Sequence, residues 1–252
     1  MNEQLTQMLK ELHLPVFGDY YSDFARIASD NELSYEEYLC ELATRECEYR
    51  RENKIERLIK NSRLPLEKTL QTFELDRLSI KIRRQIKILC EGDFVRRREN
   101  ILAFGKPGSG KTHLLCSICR ELINQGMKVY FTTCDLMVQE LLRAKEELLL
   151  DKLLKKLGKF EVLMIDDFGY VKQNREEMEV LFTLLAHRYE RGSVLITSNL
   201  PFGKWDCIFK DPMTTAAAID RLVHHSVILE LNIPSYRAEQ AQRRKIEQEK
   251  EL

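Results

Sequence analysis

From Asn100 onward the chain reads as an α/β fold with a mainly parallel sheet covered by helices on both faces. Two observations predict it. Short apolar runs suited to buried strands, at 101–104, 128–133, 162–166, 193–197 and 226–231, alternate with helical segments at 112–125, 135–157, 175–191 and 216–223. Between the first run and the first helix lies Gly105-Lys106-Pro107-Gly108-Ser109-Gly110-Lys111-Thr112, which fits G-x-x-x-x-G-K-[S/T] at each defined position. Ligands of such sheets lie at the carboxyl ends of the strands, and this loop is at one.

The loop's residue types dictate its chemistry. Glycines let backbone N–H groups turn towards a phosphate with no Cβ in the way, and the helix that follows adds the positive end of its dipole. Lys111 is spaced to reach the β- and γ-phosphates of a nucleoside triphosphate, and the Thr112 hydroxyl to hold Mg2+. A second motif, Val162-Leu163-Met164-Ile165-Asp166-Asp167, ends a buried strand in two carboxylates. Asp166 is expected to bind the magnesium and Asp167 to act as base or to position water. An isolated Asp-Asp would equally cap a helix; the glycine loop upstream favours the catalytic reading. The fourth strand ends in Thr197-Ser198-Asn199, where Asn199 is the preferred residue for orienting the attacking water, although such a triplet alone is an ordinary turn.

Ahead of the sheet, residues 1–64 read as a helical domain and 65–252 as the ATPase domain. Leu5, Met8, Leu9 and Leu12 recur at helical spacing until Pro15 breaks the pattern, and a second amphipathic stretch follows around 20–28. Ser34 with Glu37 forms a capping box that opens a helix running to about Ser62. On it Arg50, Lys54 and Arg57 fall at i, i+4 and i+7, opposite Ile55, Leu58 and Ile59. With Arg51 they form a candidate DNA-binding stripe, for which a solvated charged face is the plain alternative. Leu64-Pro65-Leu66 reads as a linker. Charge is divided along the chain: residues 1–48 hold 3 basic and 11 acidic side chains, residues 49–98 hold 15 and 7, and the formal total is zero. Basic clusters recur through Lys81, Arg83, Arg84, Lys87 and Arg96-Arg97-Arg98 without an aromatic stacking platform. Contacts to nucleic acid are therefore expected at backbone phosphates.

Composition narrows the class further. At 252 residues, 44% hydrophobic and 32% charged, the chain has ample core for one large domain or a small and a medium one. Seven cysteines without a framework suit a reducing, cytoplasmic setting. Cys116 and Cys119 lie within a helix and read as core rather than as a metal pair. No apolar run approaches the ~18 residues that a membrane span needs, so no membrane partner is expected.

Taken together the motifs resemble the AAA+ ATPases of the helicase-loader branch, and within it the insertion-sequence ATP-binding family IstB. The likeness runs through Gly105–Thr112 with His113-Leu114, Ile165-Asp166-Asp167-Phe168-Gly169, His187-Arg188-Tyr189-Glu190 and Thr197-Ser198-Asn199-Leu200-Pro201-Phe202. It continues at Trp205, Ile208-Phe209, Ala217-Ala218-Ile219-Asp220-Arg221-Leu222, His224-His225 and Ser235-Tyr236-Arg237, and reaches back to Glu48–Arg51 and Leu64-Pro65. The resemblance implies an AAA+ P-loop NTPase core with a five-stranded parallel sheet, a helical N-terminal DNA-binding domain and a reduced or absent lid. It implies an ATP-dependent oligomer on double-stranded DNA that stimulates a cognate transposase. It adds His113 and Arg237 to the nucleotide contacts and makes Arg221 an arginine finger for the neighbouring subunit. Asp167 stands where many AAA+ proteins carry glutamate, which implies slow unassisted hydrolysis. The alternatives are a replicative helicase loader and a nucleotide-sensing adaptor that does not hydrolyse.

Overall fold

The computed structural model describes residues 3–169, 175–205, 212–236, 238, 239 and 242, without the side chains of 202, 212–215 and 218. The chain divides into two compact units, Met1–Arg57 and Leu58–Leu252.

The first unit is helical: α1 (Glu3–Glu11), α2 (Pro15–Asp30) and α3 (Tyr35–Ser62), whose last turns run into the second unit. Pro15, read from sequence as a break, opens α2 instead, at a position where its missing N–H has no intrahelical partner to lose. Ser34 and Glu37 form the expected capping box: the Glu37 carboxylate accepts from the Ser34 N–H at 2.8 Å, and the Glu37 N–H donates to Ser34 Oγ at 3.2 Å. Leu9, Val16, Phe24, Ala28 and Leu42 are buried. Among them lies the carboxylate of Glu46, which accepts from the Val16 N–H at 3.0 Å and from Arg50 Nε at 2.7 Å.

The second unit carries a five-stranded sheet in the order β2-β3-β4-β1-β5, with every pairing parallel. Its strands are β1 (Asn100–Gly105), β2 (Val129–Thr133), β3 (Val162–Asp166), β4 (Ser193–Ser198) and β5 (Ser226–Leu231), each within a residue of its predicted bounds. Parallel strands need crossovers, and helices supply them. They are α6 (Lys111–Asn124), α7 (Cys134–Glu146), α8 (Leu150–Leu157), α9 (Arg175–Arg188) and α10 (Pro212–Val223), while α4 (Ile80–Cys90) and α5 (Asp93–Arg96) precede the sheet. Covered on both faces, β3 and β4 are buried at each residue, which is why their sequences are apolar runs rather than alternations.

Two expectations need correction. The predicted single helix 135–157 is two helices, with Leu148 in the left-handed region at φ 56° between them. A straight helix of that length would extend about 35 Å, well past the sheet; the turn lets Leu153, Leu154 and Leu157 of α8 reach the core. The helix predicted to end at 191 stops at Arg188: the chain leaves it through Glu190, in the left-handed region at φ 55°, and the Arg188 side chain turns into the fold. Fully buried, its guanidinium donates to the carbonyls of Phe160 at 2.7 Å, Ser193 at 2.9 Å and Glu161 at 3.0 Å, and more weakly to Leu157. Burial without a carboxylate partner pushes its pKa down to about 10, so it remains charged at neutral pH. A Cβ on Gly192 would overlap the guanidinium, which explains the glycine.

Cys116 and Cys119 are buried inside α6 against Met164 Sδ, and burial pushes the Cys116 thiol up to about 12. The rings of His224 and His225 lie against each other, tilted by 55° with centroids 4.1 Å apart, and Tyr189 Oη is 3.3 Å from His224 Nδ1. The basic run 96–98 is engaged locally: Arg96 with Asp93, Arg97 with Glu99, and Arg98 with the Glu190 carbonyl. Among the described residues no helix is long and apolar enough to cross a membrane.

Candidate nucleotide-binding site

The glycine loop joins β1 to α6, so it opens at the carboxyl end of a strand flanked by β4 and β5. Gly108 and Gly110 adopt φ of 78° and 87°, the left-handed region where other residues are strained. Space is as restrictive as torsion there: a Cβ on Gly108 would overlap the Ser235 side chain, and one on Gly110 would meet the Phe73 ring at 2.9 Å. The loop lines a cleft of about 560 Å³ together with Lys111, Thr112, His113, Asp166, Asp167 and Asn199. Residues far apart in sequence, from two motifs and a strand end, thus meet in one concavity.

Lys111 is mostly buried, and its ammonium donates to the carbonyls of Gly105 at 2.8 Å and Lys106 at 3.0 Å. Asp166 is buried at the end of β3, where Oδ1 accepts from Thr112 Oγ1 at 2.8 Å and from Thr197 Oγ1. Thr197 also accepts from the Asp167 N–H at 2.9 Å, so one hydroxyl ties the ends of β3 and β4 together. Sequence reading had the triplet 197–199 but gave Thr197 no role; its signal was a hydroxyl directly opposite the acidic strand end. Asp167 has φ 56° and an exposed side chain on the cleft. Asn199 is exposed on the same cleft.

The rest of the lining comes from stretches that sequence reading left without a site. Lys68, Thr72, Phe73, Glu74 and Arg77, just beyond the predicted linker, form one wall. His113 anchors it: Nε2 lies 3.0 Å from the Thr69 carbonyl and 3.1 Å from Thr72 Oγ1, and its ring meets Phe73 edge-on at 5.2 Å. Across the loop, the Tyr236 N–H donates to the Gly108 carbonyl at 3.0 Å. Arg77 ties this segment to the wall through Glu239 at 2.8 Å, the Pro234 carbonyl at 3.2 Å and the Tyr236 ring at 5.3 Å. Nothing in periodicity marks these residues, because their backbone is irregular.

Arg221 does not line this cleft. It closes α10 with its guanidinium 4.8 Å from the Phe182 ring centroid, and Nη1 has no hydrogen-bond partner among the described residues. Among the described residues Arg221 makes no ion pair with Asp220 or Glu230. Arg237 and Ile208-Phe209 lie outside the described residues. Arg50, Arg51, Lys54 and Arg57 are all exposed on α3. Arg50, however, is tied to Glu46 and to the His13 carbonyl, and with Arg57 it lines a hollow of about 530 Å³ bounded also by Lys10 and His13. The stripe is therefore not four equivalent cations.

The parallel sheet with its glycine loop, acidic strand end and polar fourth strand defines an AAA+ P-loop NTPase. Solved structures agree on the fold: AMPPCP-bound DnaA from Aquifex aeolicus superposes with a TM-score of 0.54 at 19% identity, covering 68% of this chain and 51% of that one. DnaI gives 0.56 at 20% over 67% and 94%, and the DnaC helicase loader 0.52 at 19% over 67% and 98%. Residues 7–244 match the IstB-like ATP binding protein family, and the chain belongs to it. An insertion-sequence ATP-binding protein of Sinorhizobium fredii is 40% identical over 93% of this chain and 79% of its own length. The IS5376 ATP-binding protein of Geobacillus stearothermophilus is 40% identical over 94% of both chains, and the IS21 protein of Pseudomonas aeruginosa is 35% identical over 93% and 88%.

Proposed function

We propose that this protein is a cytoplasmic ATPase that assists insertion-sequence transposition, oligomerising on duplex DNA with ATP and stimulating a partner transposase. The observation that carries the reading is the convergence of Lys111, Thr112, Asp166 and Asn199 on one cleft in a chain of this family. Residues 1–64 would contact DNA and residues 65–252 would handle ATP.

Each residue has a distinct task. The Lys111 ammonium exchanges its two loop carbonyls for the β- and γ-phosphate oxygens. The Thr112 hydroxyl and Asp166 carboxylate are hard oxygen donors already facing each other, a set that fits Mg2+. Magnesium held there would supply positive charge to the phosphates. Thr197 holds the carboxylate of Asp166 towards Thr112. Asp167 takes a proton from the attacking water, which Asn199 orients. His113 holds the wall that covers the nucleotide, and Arg237 is a candidate phosphate sensor. Arg221, absent from its own chain's cleft, completes that of a neighbour, so that loss of the terminal phosphate weakens the interface.

Phosphate release with and without duplex DNA, compared between wild type, Lys111→Ala, Arg221→Ala and an equal mixture of the two variants, tests this reading. Lys111→Ala should lose nucleotide affinity or turnover. Arg221→Ala should bind ATP and lose DNA-stimulated turnover. Mixing should restore part of it, because the intact cleft of one variant meets the intact arginine of the other. A mixture no more active than its components removes Arg221 from the shared site, and a wild type indifferent to DNA removes the DNA-dependent reading.

A further inference from the structure

We infer that the ATPase unit carries its own nucleic-acid surface, the lysine face of α8, which takes the phosphate backbone of duplex DNA. The inference rests on the DNA-dependent function proposed above and adds a contact outside the α3 stripe.

The sequence of α8 divides cleanly between two faces. Leu153, Leu154 and Leu157 are buried in the core of the sheet unit. Lys152, Lys155 and Lys156 fall at i, i+3 and i+4 and share the opposite face, Lys159 follows in the turn just past the helix, and all four are exposed. Among the described residues none of the four ammonium groups is drawn into a hydrogen bond or an ion pair. They are gathered in one concavity of about 890 Å³ between α7 and α8, joined by Arg143. Glu140, Glu147 and Asp151 share the groove, which leaves cations in excess, five against three. Of the carboxylates, Glu140 is engaged by the Tyr130 hydroxyl at 3.3 Å.

Geometry favours a polyanion over a single small anion. Lys152 to Lys156 rise about 6 Å along the helix, with Lys159 beyond its end. One strand of B-DNA carries a phosphate every ~3.4 Å of axis, so the stripe parallels about three successive phosphates. A concave wall focuses the field of those lysines more than a convex helix would. At the corner between the two helices Leu148 borders the groove and stands out into solvent, 92% exposed and held at φ 56°. Deoxyribose faces supply the apolar surface that such a leucine lacks in the free protein. Isolated lysines on a solvated helix would need neither the groove nor the exposed leucine.

The test uses the full chain with a non-hydrolysable ATP analogue and a labelled 30-bp duplex, titrated across salt concentrations. One variant carries Lys152→Ala, Lys155→Ala, Lys156→Ala and Lys159→Ala together, and a second carries Arg at the same four positions. The alanine variant should bind nucleotide as wild type does, since none of the four residues borders the nucleotide cleft. Its DNA affinity should fall roughly tenfold or more at low salt, and the salt slope should flatten by about one for each lysine that meets a phosphate. The arginine variant should keep both. Wild-type affinity and slope in the alanine variant, with wild type itself binding DNA, overturn this inference alone. Loss of ATP-driven assembly in the absence of DNA also overturns it and assigns the face to a second copy of the chain. A wild type that binds no duplex overturns the DNA-dependent function as well.

Discussion

At the scale of single residues, chemistry and architecture are divided between side chains that look alike in sequence. Lys111 and Arg188 are both buried cations bonded to carbonyls, yet one borders the cleft and the other does not. Lys111 opens α6 at the end of the glycine loop, and the loop carbonyls it bonds can be replaced by a phosphate. Arg188 instead joins the end of α8, the start of β3 and the start of β4, with no anion to release it. Replacing Arg188 by alanine strands several buried carbonyls, so thermal unfolding should show a loss of about 3 kcal/mol or more. Lysine at that position should recover little, because one ammonium cannot meet the same set of carbonyls. An Arg188→Ala protein melting as wild type would make the clamp incidental. Sequence showed His187-Arg188-Tyr189-Glu190 as a motif, but it could not separate a structural arginine from a catalytic one.

At the scale of elements, period and capping located most helices and strands, and irregular backbone hid the rest. Ser34 with Glu37 announced the start of α3, and apolar runs bounded the five strands. The wall from Lys68 to Arg77 has no period to read, since it is held by His113 and by contacts with the segment after β5. The basic stripe of α3 shows the same limit in another form. Helical spacing correctly put Arg50, Lys54 and Arg57 on one helix, but spacing carries no information about partners. Arg50 compensates the buried Glu46, whereas the Lys54 ammonium makes no hydrogen bond or ion pair among the described residues. Arg50→Ala should therefore lower the stability of the helical unit by about 1–2 kcal/mol, discounted for the exposed half of its side chain. Lys54→Ala should leave the unfolding midpoint unchanged and weaken DNA binding similarly across sequences. Equal effects of the two changes on stability would contradict this division.

At the scale of the whole molecule, the proposed catalytic site is complete only between copies. Specific ATPase activity should then rise with protein concentration and with added duplex, both of which bring Arg221 to a neighbour's cleft; activity per subunit that is constant on dilution would contradict it. The sequence by itself determined the order of elements, the parallel sheet and the phosphate loop. These follow from local rules: apolar runs bury, glycines turn, and a lysine after a glycine loop has few other uses. Only the tertiary structure decided that Thr197 joins Asp166, that the 68–77 segment walls the cleft, and that Arg50 serves Glu46. It also split α7 from α8 and thereby formed the groove where four lysines gather. Each of these depends on which side chains meet across the fold, and a linear pattern specifies spacing along one element but not the partner it finds on another.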